Sequence, residues 1–210
     1  MSVLSASEQR PSRGGRPRDP SRDGVIRAAI LRLLADVGYG ALTMDAVAAK
    51  AGVGKATIYR RWRTKEELVV DTVSDLNAAQ AAETEAKIDT GSLIGDLHVL
   101  LRSMAKLVTS PAGAATQAML SSMQHHPELA EAFRDGPVAI WRQTFDEMWS
   151  RAEARGETDP GFAGSLVAEA IGAPVIQRWL VNGEPVNEEF ADAVVENIAV
   201  PLLRAHGARI

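Results

Sequence analysis

Leu42-Thr-Met-Asp-Ala-Val-Ala-Ala-Lys-Ala-Gly52-Val-Gly-Lys-Ala-Thr-Ile-Tyr-Arg-Arg-Trp62-Arg-Thr-Lys-Glu-Glu-Leu68 carries two short helical patterns on either side of a glycine-containing break. Thr43 is placed to cap the first helix, which runs through Ala51 with Asp45 in its first turn, where the helix dipole favours negative charge. Gly52-Val53-Gly54 is a tight break, and Lys55 to Trp62 reads as a second short helix. The small Ala48 lets the two helices approach, Gly52 can take a positive φ at little cost, and Val47, Val53 and Ile58 supply a miniature core. Two short helices joined this way are the skeleton of a helix-turn-helix, here over residues 43–62. Its second helix exposes Lys55, Ala56, Thr57, Tyr59, Arg60 and Arg63, a mix of donors and small groups suited to a DNA major groove and its phosphates. A helix-turn-helix-shaped packing unit without DNA function is the alternative.

Charge along the chain supports the DNA reading. The total is −4, but residues 1–68 hold thirteen Lys and Arg against seven Asp and Glu, a net of +6. Residues 69–210 hold ten against twenty, a net of −10. A basic head that meets polyanion and an acidic body that does not is the pattern expected. Residues 1–20 have no apolar periodicity and read as a disordered basic arm. Within it, Arg13-Gly-Gly-Arg16-Pro-Arg18 is similar to the Arg-Gly-Arg-Pro segments that lie in narrow AT-rich minor grooves, so Arg16 and Arg18 are candidate DNA contacts. The plainer reading is a flexible leader adding non-specific attraction. The chain has no cysteine, which excludes disulfides, Cys-based zinc sites and thiol nucleophiles. With no signal-peptide core at its start and no apolar run long enough for a membrane span, it is expected in the cytoplasm, with no membrane partner.

Outward from the quoted stretch, every segment reads as helix. A first helix starts after Asp19 or Ser21, places Val25, Ile26, Ala29, Leu33, Leu34 and Val37 on one face, and ends at Gly38 and Gly40. Thr64-Lys-Glu-Glu67 is a capping box, so a fourth helix starts near Lys65 and runs to about Ala86. Further helices are expected over 93–109, from Pro111 to Met123, from Pro127 to Arg134, from Pro137 to about Arg155, and over 161–182 and 188–206, the last capped by Asn187. The expectation is an all-α chain of about nine to ten helices, with residues 21–64 as the DNA-binding domain and 65–210 as a helical regulatory, ligand-binding and dimerisation domain.

Within the bundle, Trp141, Phe145, Met148 and Trp149 form an aromatic and Met stripe, with Met104, Met119 and Met123 on neighbouring helices. Such a cluster is either plain core or the lining of an apolar ligand cavity. Arg178 and Gln177, near Trp179, would bring polar groups to a cavity or an interface. His98 reads as a cavity donor or a satisfied core or surface histidine. His125-His126 reads as a solvated helix end, since adjacent residues point about 100° apart on a helix, and no metal or cofactor is expected. The last two helices carry apolar faces of Phe162, Leu166, Ala170, Ile171 and Pro174, then Phe190, Val194, Ile198 and Leu202. Pro174 is expected to kink its helix.

Residues 42–68, above all Ile58-Tyr59 followed by Trp62 and then Lys65-Glu66-Glu67-Leu68, resemble the tetracycline-repressor (TetR) family. The match runs from the first helix to the start of the fourth; the bundle matches in helix count and order. Ile171-Gly-Ala-Pro-Val-Ile-Gln-Arg-Trp-Leu-Val-Asn-Gly-Glu-Pro185 also looks like the dimerisation region of one large subgroup. The resemblance implies that Lys55, Ala56 and Thr57 approach base edges, Tyr59 and Arg60 hold phosphates, and Thr43 and Lys65 grip the backbone. Gly54 stands where such proteins usually carry Ser, a weaker cap. The resemblance also implies a ligand cavity between the middle helices, and a symmetric dimer in which Phe162, Leu166, Ala170, Pro174, Phe190, Val194, Ile198 and Leu202 pair with their copies as a four-helix bundle. The expected protein is a homodimeric repressor on a pseudo-palindromic double-stranded DNA operator, its heads about 34–36 Å apart, released by a small apolar or amphipathic ligand. Alternatives are a DNA-binding regulator with no inducer, which would have a solid body, and a helical-bundle enzyme, for which the chain offers no nucleophile–base pair, metal set or phosphate loop.

Overall fold

The computed structural model describes residues 20–210, and all regular structure among them is helical. The head comprises α1 (Pro20–Ala41), α2 (Met44–Ala51) and α3 (Lys55–Tyr59). The helix α4 (Lys65–Glu85) leads into a body of α5 (Leu93–Val108), α6 (Pro111–Met123), α7 (Pro127–Phe133), α8 (Ala139–Ala154), α9 (Leu166–Gln177), α10 (Glu188–Val194) and α11 (Val200–Ala205). Side-chain caps start most of the longer segments: the Thr43, Thr64, Ser92, Ser110, Ser165 and Asn187 oxygens each accept from a backbone N–H of their own first turn.

Three expected features differ in the structure. Pro137 does not start a new helix; it sits in a π-type turn, Arg134–Val138, that joins α7 to α8 in one rod. The wider turn accommodates the N–H that proline lacks, so the chain continues where an α-helix would break. Two further π-type turns follow: Arg178–Asn182 extends α9, and Val195–Ala199 joins α10 to α11. The helix expected from residue 161 begins at Leu166, because Ser165 caps it after a short 3₁₀ turn at Phe162–Gly164. On α1, the inward stripe is Ile26, Ala29, Ile30 and Leu34, whereas Val25 and Val37 lie about half exposed, at 53% and 50%. Ile26, Ile30 and Leu34 repeat every fourth residue; Val25 falls one position off that stripe, and Val37 precedes the break at Gly38, where φ is +73°.

The buried side chains divide into two clusters, and the division does not follow the chain. One combines Ile26, Ile30, Leu34, Tyr39 and Leu42 with Val47 and Ile58 of the helix-turn-helix, Leu68, Val69 and Val73 of α4, Ala115 and Met119 of α6, and Leu129 of α7. The other gathers α5 and α8 to α11 around Leu97, Leu100, Leu101, Met148, Trp149 and Ile171. The most extensive partner of α1 is α6, a body helix. The body is further pinned between α5 and α10 by Arg102, whose Nε and one terminal nitrogen donate to the two oxygens of Asp192 at 2.7 and 2.8 Å, beside His98. That arrangement holds the Asp192 carboxyl below the usual carboxylate range.

The α5–α6 corner is tight because residue 113 lacks a side chain. A Cβ on Gly113 would lie 2.1 Å from the Val108 carbonyl oxygen, which is backbone and cannot swing aside. Gly113→Ala is expected to cost about 1–3 kcal/mol of unfolding free energy, read by urea denaturation. Gly24→Ala, whose Cβ would meet nothing within 4 Å in an exposed part of α1, is the control and is expected to raise stability, by about 0.5–1 kcal/mol. Equal stabilities for the two variants would contradict this packing.

Candidate nucleic-acid interface and ligand cavity

The helix-turn-helix is built from local chemistry. The Thr43 hydroxyl accepts from Ala46 N at 3.1 Å and starts α2, and Gly52 closes it in the left-handed region at φ +64°. The Val53 N–H then reaches back to the Ala48 carbonyl at 3.0 Å, and fully buried Val47 and Ile58 fill the space between α2 and α3. Gly54 stands at the start of α3 and provides no side-chain cap, as its identity requires. Across the turn, Lys55 Nζ donates to Asp45 Oδ2 at 2.6 Å, which raises the lysine pKa above its ordinary value. Lys55, Ala56, Tyr59, Arg60, Arg63 and Thr43 are exposed, and Thr57 is half-buried beside them. Tyr59 keeps 50% of its surface open, although it is one of the larger apolar side chains.

Arg61, between exposed Arg60 and Arg63, has a different place. Its side chain is 9% exposed and pairs with Asp23 of α1 at 2.7 Å. Trp62 Nε1 donates to Asp71 Oδ2 of α4 at 2.9 Å. These two contacts tie the segment that follows α3 to α1 and α4. The capping box at the start of α4 is shifted by one residue: Thr64 Oγ1 accepts from Glu67 N at 3.1 Å, and Glu67 Oε2 accepts from Arg63 N rather than from Thr64.

Lys65 lies half-buried at the joint between head and body. Its Nζ donates to the Tyr39 carbonyl oxygen at 3.1 Å and sits 4.2 Å from the centre of the Tyr39 ring. Tyr39 is 1% exposed, and its hydroxyl donates to Glu66 Oε1 at 2.6 Å. Burial, together with the Glu66 charge, pushes the Tyr39 phenol well above its ordinary range. Burial opposes ionisation of Glu66, but the bond from Tyr39 and neighbouring donors outweigh it and hold that carboxyl below its ordinary value. Sequence reasoning passed over Tyr39, Glu66, Asp23, Arg61 and Asp71, because each gains its meaning from a partner on another helix. Arg16 and Arg18 lie outside the described residues.

Within the body, an apolar cavity of about 320 Å³ lies among α4, α5, α6, the α7–α8 rod and α9. Its walls include Met104 and Leu107 of α5, Thr116 and Leu120 of α6, Phe133, Trp141 and Phe145, and Ile176 and Trp179. Trp141 Nε1 donates to Asn77 Oδ1 at 2.7 Å, and Asn77 Nδ2 donates to the Val73 carbonyl at 2.8 Å, so protein partners already engage the polar groups of both. Of the residues expected at a cavity, Met104, Trp141 and Phe145 come together here. Met119 and Met123 pack instead with the head cluster and do not line the cavity. Trp149 is buried in the body core against Phe162, with ring centres 5.2 Å apart. Arg178 faces the α9–α10 turn, where it pairs with Glu184 at 3.0 Å, donates to Pro185 O, and lies over Phe190. His98 bridges Asp192 and Glu196 outside the cavity.

The apolar faces expected at a dimer interface are partly used up within the chain. Val194 is 2% exposed in the core, while Phe162, Phe190 and Ile198 are half-buried against the body cluster. Ala170, Pro174 and Leu202 are half-buried. Leu166 is 79% exposed, and on the same stretch Val181 and Ile176 are 77% and 39% exposed.

Among the described residues, no helix is long and apolar enough to cross a membrane. Residues 26–72 match the family described as bacterial regulatory proteins, tetR family, and residues 87–198 match the tetracyclin repressor-like C-terminal domain. The DNA-binding transcriptional repressor TetR of Mycobacteroides abscessus is 30% identical over 192 residues, spanning 91% of this chain and 98% of that protein. The crystal structure of the TetR family transcription regulator SCO0332 superposes with a TM-score of 0.65 at 28% identity, over 86% of this chain and 97% of its own. The transcriptional regulator FadR from Bacillus subtilis, solved in complex with stearoyl-CoA, shares the fold at a TM-score of 0.70 and 18% identity, over 84% of this chain and 97% of its own. The chain belongs to the TetR family of DNA-binding transcriptional regulators.

Proposed function

We propose that the protein is a homodimeric repressor that reads a pseudo-palindromic operator with α3 and leaves it when an apolar or amphipathic small molecule enters the body cavity. The observation that carries the ligand part is the cavity itself, since a regulator without an inducer has no need of one. Its hydrocarbon walls, with Asn77 and Trp141 bonded to each other, suit an uncharged hydrophobic body, and any charged group would stay at the mouth. The structural relative from Bacillus subtilis holds a long-chain acyl-CoA, a ligand of that general shape.

Helix α6 supports a route from cavity to head. Gly113, Thr116 and Leu120 face the cavity, while Ala115 and Met119 of the same helix sit in the cluster that contains α1. A ligand that pushes α6 moves the floor on which α1 rests, and DNA affinity falls by the ligand's differential preference for the two arrangements. In the proposed domain division, residues 21–64 read DNA and residues 65–210 sense and dimerise, although the apolar packing continues across residue 64. The exposed Leu166, Ile176 and Val181 are the proposed centre of the dimer contact.

On DNA, Lys55, Ala56 and Thr57 are assigned to base edges. Thr43, Tyr59, Arg60, Arg63 and Lys65 are assigned to phosphates, Lys65 with the donors that Tyr39 leaves free. Selection of bound duplexes from a random pool supplies an operator. Thr57→Ala is expected to relax base preference at one position of each half-site with a salt dependence like the wild type. Arg60→Ala is expected to weaken matched and scrambled duplexes alike and to flatten the salt slope by about one per head. Identical behaviour of the two variants would contradict the assignment.

The cavity is tested separately. Leu120→Trp fills part of it and is expected to reduce binding of the amphipathic probe anilinonaphthalene sulfonate by about tenfold or more. Unchanged probe binding would place the ligand site elsewhere.

A further inference from the structure

His126 was expected at a solvated helix end, but the fold gives it two carboxylates. His126 lies in the α6–α7 turn and Glu128 in the first turn of α7, and the first turn of α4 brings Glu66 to them from about sixty residues away. One donor atom from each of Glu66, His126 and Glu128 lies within 4.8 Å of the other two. We propose that these three side chains form a binding site for a first-row divalent metal ion, of the Zn²⁺, Fe²⁺ or Mn²⁺ class, at the joint between the DNA-binding head and the body.

Donors around a tetrahedral ion with bonds of about 2.0–2.2 Å sit about 3.4 Å apart, so the three need to close by little more than an ångström. Glu128 has the freedom to do this, with 60% of its side chain exposed, and His126 is 36% exposed. Glu66 is already oriented by the Tyr39 hydroxyl, and the Tyr39 ring meets the His126 ring edge-on at 5.5 Å and 73°. That is the kind of support from behind that a metal ligand needs. The charge also asks for a cation. Two carboxylates share one imidazole, and the Lys65 ammonium, which also acts on Glu66, makes its hydrogen bond to the Tyr39 carbonyl. Imidazole with two carboxylates favours zinc, iron and manganese over calcium, which prefers oxygen alone. Glu66 and Glu128 both line an open groove of about 1050 Å³ between the head and α7, which provides a path for the ion. An ion held there would fasten the start of α4 to the α6–α7 turn.

The test uses the full-length protein after treatment with a chelator, titrated with Zn²⁺ against a chromophoric competitor. One site per chain in the micromolar range or tighter is expected, accompanied by a rise in Tm. Glu128→Gln and His126→Ala are each expected to weaken binding by at least about tenfold and to abolish the rise in Tm. His125→Ala, which alters the exposed neighbour, is expected to leave both unchanged. Because Glu128 is exposed, Glu128→Gln is expected to melt like the wild type without metal, which separates lost ligation from lost folding. Absence of saturable Zn²⁺ binding, or binding unaffected by both Glu128→Gln and His126→Ala, would overturn the site. In that event the cluster is a charge-paired turn and nothing more.

Discussion

The DNA-binding head cannot bury its own apolar surface. Helix α2 spans eight residues and α3 five, too short to be stable as isolated helices or to cover a helix of the length of α1. Ile26, Ile30 and Leu34 of α1 are at most 1% exposed because α4 and α6 close over them, with Ala115 and Met119 on α6 and Leu68, Val69 and Val73 on α4. Packing interiors are dense and deform in discrete steps rather than continuously. The position of the head is therefore bound to the position of α6, and the rest of the arrangement follows from that sharing.

Two further links brace the same joint. Arg61 and Trp62, just after α3, are tied to Asp23 and Asp71, while at the start of α4 Lys65 holds the carbonyl and ring of Tyr39 and Glu66 its hydroxyl. None of these groups lies in the cavity, yet the cavity shares α6 with the head and α4 with the joint through Asn77. The ligand proposed for the cavity would meet, at Thr116 and Leu120, a helix that also packs with α1 through Ala115 and Met119. The route is short: it crosses the width of one helix.

How much of this was legible in the sequence depends on the range of the interaction concerned. Thr43, Gly52, Thr64 and Asn187 act on their own turns, so their residue types announce the helix boundaries they make. The resemblance to the TetR family that is visible in residues 42–68 is a property of the same local stretch. Helical periodicity likewise marks the Met and aromatic stripes, but it cannot tell which neighbour each stripe will meet. Met104 and Met119 look alike in sequence, and one lines the cavity while the other packs beneath the head. Pro137 was read as a boundary because proline ends an α-helix, and the π-type turn that carries the chain past it has no residue signature of its own. Tyr39, Glu66 and His126 were hidden for the same reason of distance, since their significance arises only when α1, α4 and the α6–α7 turn converge.

The proposed role of α6 is to couple the cavity mechanically to α1. Hydrogen exchange by mass spectrometry on the full-length protein, with and without saturating anilinonaphthalene sulfonate, reads that coupling most directly, with Leu120→Trp as the control for cavity occupancy. Altered protection is expected in α6 and also in α1 over residues 26–34, both lost in Leu120→Trp. Exchange changes confined to α5, α8 and α9, with α1 unaltered at saturation, would contradict it.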